Sequence, residues 1–166
     1  MIQRLQTVYL LVVVILGALL YFQPVIQFTS PVHDGVQRMF ELSPTGLTEL
    51  TEEYSYALSD LEPVTFQGLW GLTLATLLIP ALSFIIIFLY RWRIWQARLC
   101  LLQALLCMGW YGVMLIYVWF GRHNVARDWD VLFGACIPLI CCVLTLMAMR
   151  RILKDEAMVR AADRLR

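Results

Sequence analysis

Polar positions along this chain fall in clusters, and the long stretches between them carry no charge. Leu69 to Tyr90 and Leu99 to Phe120 contain no Asp, Glu, Lys, Arg or His. Val131 to Met149 is equally free of charge over a shorter distance. A helix crossing the roughly 30 Å hydrocarbon core of a bilayer needs about 20 apolar residues, so each stretch is predicted to be a membrane span. A fourth apolar run, Val8 to Phe22, follows Arg4. It could be a signal peptide, but Tyr21-Phe22-Gln23-Pro24-Val25 offers no small-x-small cleavage pattern, so it is read as an uncleaved first span. The expected layout is one integral membrane domain, 1–166. Its spans cover about 6–24, 69–90, 99–120 and 131–149, with a loop at 25–67 and a tail at 150–166. The predicted fold class is an all-α membrane protein, a four-transmembrane-helix bundle.

The loop 25–67 is too long for a simple turn. Val36 to Leu42 alternates loosely between apolar and polar residues, flanked by Asp34-Gly35 and Ser43-Pro44-Thr45-Gly46, which predicts a short strand or hairpin. Thr48 to Asp60 reads as a helix, with Thr48 as its cap and Glu52 and Glu53 near its start. A small ordered cap of mixed structure is expected here.

Charge fixes the expected orientation. Arg4, Arg91, Arg93, Arg98, Arg150, Arg151, Lys154, Arg160, Arg164 and Arg166 share one side of the predicted topology, leaving only Arg38, Arg122 and Arg127 on the other. Short loops rich in Lys and Arg stay in the cytoplasm, so both termini are expected inside and the first loop outside. That loop holds Asp34, Glu41, Glu49, Glu52, Glu53, Asp60 and Glu62, an acidity read as a solvated surface because no regular ligand spacing accompanies it. Trp70, Tyr90, Trp92, Trp95, Trp119 and Trp129 lie at or near predicted span ends, where an amphipathic ring meets the headgroups. Composition agrees: 61% of residues are hydrophobic and 15% charged, against about 45–50% and about 25% in soluble domains. A net charge of +1 supplies no overall field toward nucleic acid or acidic substrates.

Candidate chemistry is sparse. Cys100, Cys107, Cys136, Cys141 and Cys142 all lie within predicted spans and form no Cys-x-x-Cys. Four-helix quinone-linked disulfide oxidases need cysteine pairs in loops outside the membrane, so helix packing is the preferred reading. Cys100 and Cys107 share a helix face with Ala104 and Tyr111, and small residues let helices approach closely in lipid. The two histidines, His33 and His123, are far apart in sequence. His123 lies near Asp128 and Asp130, yet exposed loop residues are the simpler reading, so neither a metal nor a cofactor is expected. Intramembrane charge usually marks transport, and the spans have none. Gln103 is their most polar side chain and Thr76 lies one span earlier; both are candidates for intramembrane polar contacts. Pro80 and Pro138 are expected to bend their spans.

The tail is the most suggestive segment. Ile152, Val159 and Ala162 give it a partly amphipathic helical pattern. Arg150, Arg151, Lys154, Arg160 and Arg164 are candidates for docking a membrane-protein partner or anionic lipid headgroups.

Both ends carry a resemblance. Met1-Ile2-Gln3-Arg4-Leu5-Gln6-Thr7 and Ile152-Leu153-Lys154-Asp155-Glu156-Ala157-Met158-Val159-Arg160, with Asp163-Arg164-Leu165-Arg166 after it, resemble an uncharacterised family of Bacteroidota membrane proteins. The resemblance covers essentially the whole chain. It implies four spans in a bacterial inner membrane and supplies no activity, substrate or catalytic residue. Claudin-like proteins also have four spans and a large first outer loop, an analogy only, since this loop lacks their paired cysteines. The expected role is a non-enzymatic accessory or scaffold subunit of an inner-membrane assembly. The alternative is a small transporter or lipid-handling protein using a cavity near Gln103 and Thr76.

Overall fold

A computed structural model describes residues 3–29, 39–50, 69–89, 92–124 and 128–164. Four helices dominate it: α1 (Gln3–Phe22), α2 (Trp70–Phe88), α3 (Arg93–Asn124) and α4 (Ile137–Arg164). The stretches Trp70–Phe88, Ile94–Trp119 and Phe133–Val159 are long and apolar enough to cross a membrane, which marks the chain as a membrane protein. Without water to bond, backbone groups in lipid must pair within their own segment, and a helix achieves this. α1 and α3 each lie against both α2 and α4. α1 has 20 residues and is about 30 Å long at 1.5 Å per residue.

Four short strands close one end of this helical body. β1 (Ile26–Thr29), β2 (Met39–Ser43) and β3 (Gly46–Leu50) follow α1, and β4 (Asp128–Val131) joins α3 to α4. They form one antiparallel sheet in the order β3-β2-β1-β4. Because α1 and α3 run toward this sheet and α2 and α4 run away from it, the first turn of α1 and the last turns of α4 meet at the opposite end. The side chains of Gln6 and Asp155 touch there.

The sheet corrects the expected cap in two places. Of the strand anticipated over Val36 to Leu42, the part from Met39 is β2, and Val36 to Arg38 lie outside the described residues. Ser43 pairs with Gly46 across a two-residue loop, as the Pro-Thr turn signal implied. The helix expected from Thr48 does not begin there: Thr48 sits within β3 opposite Glu41, and Leu47 opposite Leu42. Pairing with β2 outweighs the local helix signal, since tertiary context routinely overrides propensity. The remainder of that expected helix, 51–60, lies outside the described residues. β4 comes from a segment the sequence assigned to a simple loop and to the start of the fourth span.

Strand alternation gives the sheet two unlike faces. Ile26, Phe28, Phe40 and Leu42 are buried against the helices, whereas Gln27 and Glu41 face away. The Thr73 hydroxyl donates to the Pro44 carbonyl at 2.5 Å, tying the hairpin to the first turns of α2. Close approach depends on two glycines. A Cβ on Gly134 would overlap the Pro24 carbonyl oxygen, and one on Gly17 would lie 3.0 Å from Pro80 Cδ. Pro80 lies inside α2, where its missing N–H leaves the Thr76 carbonyl without its helical donor. Pro138, by contrast, occupies the first turn of α4, a position that sacrifices no helical hydrogen bond.

Candidate functional site

The interior divides into two apolar clusters with polar residues between them. Toward the sheet lie Val13, Leu20, Phe28, Leu72, Ile79, Cys107, Trp110 and Cys141, among others. Toward the chain ends lie Leu10, Ile86, Ala97, Cys100, Ala148 and Ile152. Along α2, Ser83 separates Ile79 from Ile86; along α3, Gln103 separates Cys107 from Cys100; along α4, Thr145 separates Cys141 from Ala148. All three polar residues are fully buried.

Gln103 binds α3 to α2. Its Nε2 donates to the Ile79 carbonyl at 3.3 Å and to the Ser83 hydroxyl. Trp110 Nε1 donates to Thr76 Oγ1 at 2.8 Å, one level nearer the sheet. Gln103 and Thr76, the two residues expected to make polar contacts, both bond between α2 and α3, through different partners. Gln103 Oε1 is enclosed and has no donor among the described residues; leaving a buried acceptor unpaired costs about 1–3 kcal/mol. Thr145 donates to the Cys141 carbonyl in its own helix at 2.7 Å.

The cysteines serve packing. Cys100, Cys107, Cys141 and Cys142 are buried free thiols, while Cys136 is exposed. Cys142 Sγ lies 3.9 Å from the Ala104 carbonyl oxygen, a contact only a small side chain permits between α4 and α3. Among the described residues, no three His, Cys, Asp or Glu side chains gather closely enough to hold a metal. His33 lies outside the described residues. His123 falls on α3, its side chain outside them.

The end of the helical body away from the sheet holds the docking candidates. Arg150, Arg151 and Lys154 are exposed on α4; Arg160 and Arg164 lie further along the same helix, their side chains outside the described residues. Arg98 is exposed on α3 and stacks 5.3 Å from the centre of the Trp95 ring, a cation–π pairing. Ile152 is 1% exposed, which pins the α4 extension to the body. Gln6 Nε2 then donates to Asp155 Oδ2 at 2.7 Å, both side chains being buried. Gln96 Nε2 donates to the Ile86 carbonyl at 3.2 Å and so serves the last turn of α2.

Sequence reasoning missed these last two contacts. Gln6 and Gln96 are uncharged amides at the margins of apolar runs, and nothing in their spacing names a partner. Gln6 and Asp155 stand 149 positions apart in the chain.

Similarity extends from the first residues to the tail, where α4 meets α1. The chain belongs to the DUF4293 family. The family profile, described as a domain of unknown function, matches residues 2–165. No curated protein matches the sequence. Membership of DUF4293 thus covers the sheet, the polar layer and the α1–α4 contact together, and assigns no activity to any of them.

Proposed function

We propose that this DUF4293 chain is a four-span protein of a bacterial inner membrane, both ends cytoplasmic, acting as a non-enzymatic scaffold or accessory subunit. The observation that carries this reading is the continuity of α4. One helix runs from the apolar stretch to Arg164, and Asp155 is its last buried described side chain. Beyond it, Ala157, Met158, Val159 and Ala161 are exposed, Met158 by 44% and Val159 by 45%. From Asp155 to Arg164 the helix extends about 14 Å at 1.5 Å per residue. An unbroken helix standing off the body offers a partner the exposed side chains of Met158 and Val159, on the helix that also carries Lys154, Arg160 and Arg164.

Orientation is supported by charge. The chain ends and the α2–α3 turn carry ten of the thirteen Lys and Arg residues, and short cytoplasmic segments collect such residues. α1, at about 30 Å, is long enough to be the first span.

The test is purification of the full chain from native membranes in mild detergent, beside a version ending at Glu156 and the double variant Met158→Glu, Val159→Glu. Cutting after Arg151 would also remove Ile152 and Asp155, which hold the helix to the body, so the cut belongs after Glu156. Mass spectrometry should find a protein retained by the full chain and lost from both variants. A full chain that is always alone and monodisperse, or one whose companions are indifferent to both changes, refutes the scaffold reading. The alternative, a small transporter or lipid-handling protein, would use the polar layer. Gln103 and Thr76 are both engaged between α2 and α3, and that engagement favours packing over passage.

A further inference from the structure

The sheet is wider than the helical body beneath it. Register pairs Phe28 with Trp129 and Ile26 with Val131, so these four side chains share the helix-facing side. Phe28 and Ile26 are buried at 1% and 0%, whereas Trp129 and Val131 are 39% and 55% exposed on that same side. β4 therefore overhangs the helices. Its other face carries Asp128 and Asp130, level with Thr29 and Gln27 and pointing the way Glu41 points. Phe133, just after the strand, is 76% exposed, and Leu139 and Ile140 in the first turn of α4 are exposed as well.

We propose that β4 is a membrane-seated ledge, its apolar underside resting on the headgroup–acyl boundary of the bilayer. Three observations select lipid as the occupant. In chain order the underside leads straight into exposed Phe133, Leu139 and Ile140, residues that lipid covers if α4 spans. Its chemistry is that of an interfacial anchor, a tryptophan beside a valine and a phenylalanine. The carboxylates of Asp128 and Asp130 point from the opposite face, away from anionic headgroups. The ledge would set the depth of the sheet end and hold the sheet against the membrane surface.

This inference rests on the reading of the helices as spans, and the experiment separates the two. The full chain is reconstituted in phosphatidylethanolamine–phosphatidylglycerol nanodiscs with the photocrosslinker p-benzoylphenylalanine at one position at a time. Position 131 tests the ledge. Position 115, where Leu115 is 63% exposed on α3, reports the span surface. Position 48, exposed on the outward face of the sheet opposite Glu41, reports solvent. Intact mass should show lipid adducts at 131 at no less than half the yield at 115, and at least fivefold above that at 48. Adducts at 115 but not at 131 overturn the ledge and leave the spans standing. A crosslinked dimer or a protein adduct at 131 in place of lipid also overturns it. No adduct at either 115 or 131 overturns both.

Discussion

At the sheet end, Phe28, Phe40 and Leu42 pack as an apolar layer over the helices, and Gly134 lets the backbone of the α4 lead-in touch Pro24. At the other end the contacts between α1 and α4 finish on a hydrogen bond, Gln6 to Asp155, and α2 finishes on another, from Gln96. The charges are opposed as well. In sequence, the segments joining α1 to α2 and α3 to α4 carry nine of the twelve acidic residues, and residues 1–4, 91–98 and 150–166 carry ten of the thirteen basic ones. The sheet end has the larger apolar layer, with Thr73 bonded to the hairpin, and the chain-end side adds buried amides to a smaller apolar cluster. Apolar packing is non-directional and tolerates a changed neighbour of similar volume. A buried amide–carboxylate contact fails if one partner goes, because the other is left desolvated. Loss of one hydrogen-bonding partner therefore releases the chain-end side, whereas the sheet end yields to a side chain that does not fit, as at Gly134.

The largest expected effect breaks the closed end. Gly134→Ala forces a methyl group into the Pro24 carbonyl and should cost about 2–3 kcal/mol. Its apparent melting temperature in detergent should fall, with the strands 39–50 losing hydrogen-exchange protection before α4 does. Next, Gln6→Leu leaves the Asp155 carboxylate buried without its amide, at about 1–3 kcal/mol. Here exchange should rise across 150–164 and stay unchanged across 39–50; equal loosening of both ends would show that they are not independently held. Arg151→Gln should weaken association of the chain-end side with anionic bilayers by about 1 kcal/mol, read as a smaller salt-dependent binding difference between anionic and neutral vesicles for the purified chain. The smallest effect belongs to the middle. Gln103→Leu removes bonds to Ile79 and Ser83 together with an unpaired oxygen, so the net change should be near the roughly 0.6 kcal/mol average for hydrogen bonds between membrane helices. A loss several times larger would mean that Oε1 has a donor in the folded protein.

The apolar helices were readable because an uncharged run of about 20 residues has few other destinies. Trp70, Trp92, Trp95, Trp119 and Trp129 were placed near element ends by the same reasoning, and all five are exposed. Gln103 was legible as a buried polar contact because it was the most polar residue in an apolar helix. The rest of the polar layer was not: Ser83 and Thr145 look like ordinary span residues until three helices bring them to one level. The sheet was half legible. The turn at Pro44-Thr45 announced a hairpin, but β1 and β4 are each four residues long, too short for alternation to separate them from loop, and the second lies about a hundred residues from the strand it pairs with.

Local composition alone determined the apolar helices, the clustering of charge and the tail's helical character, because each depends on the cost of placing a side chain in water or in lipid. Only the tertiary structure decided that segments from two different loops make one sheet, and that Asp155 meets Gln6. It alone decided that α4 leaves the body as one continuous helix, and that β4 reaches past the helices below it. Those outcomes depend on which distant segments are brought together, and a pairing across more than a hundred residues leaves no periodic trace in either partner.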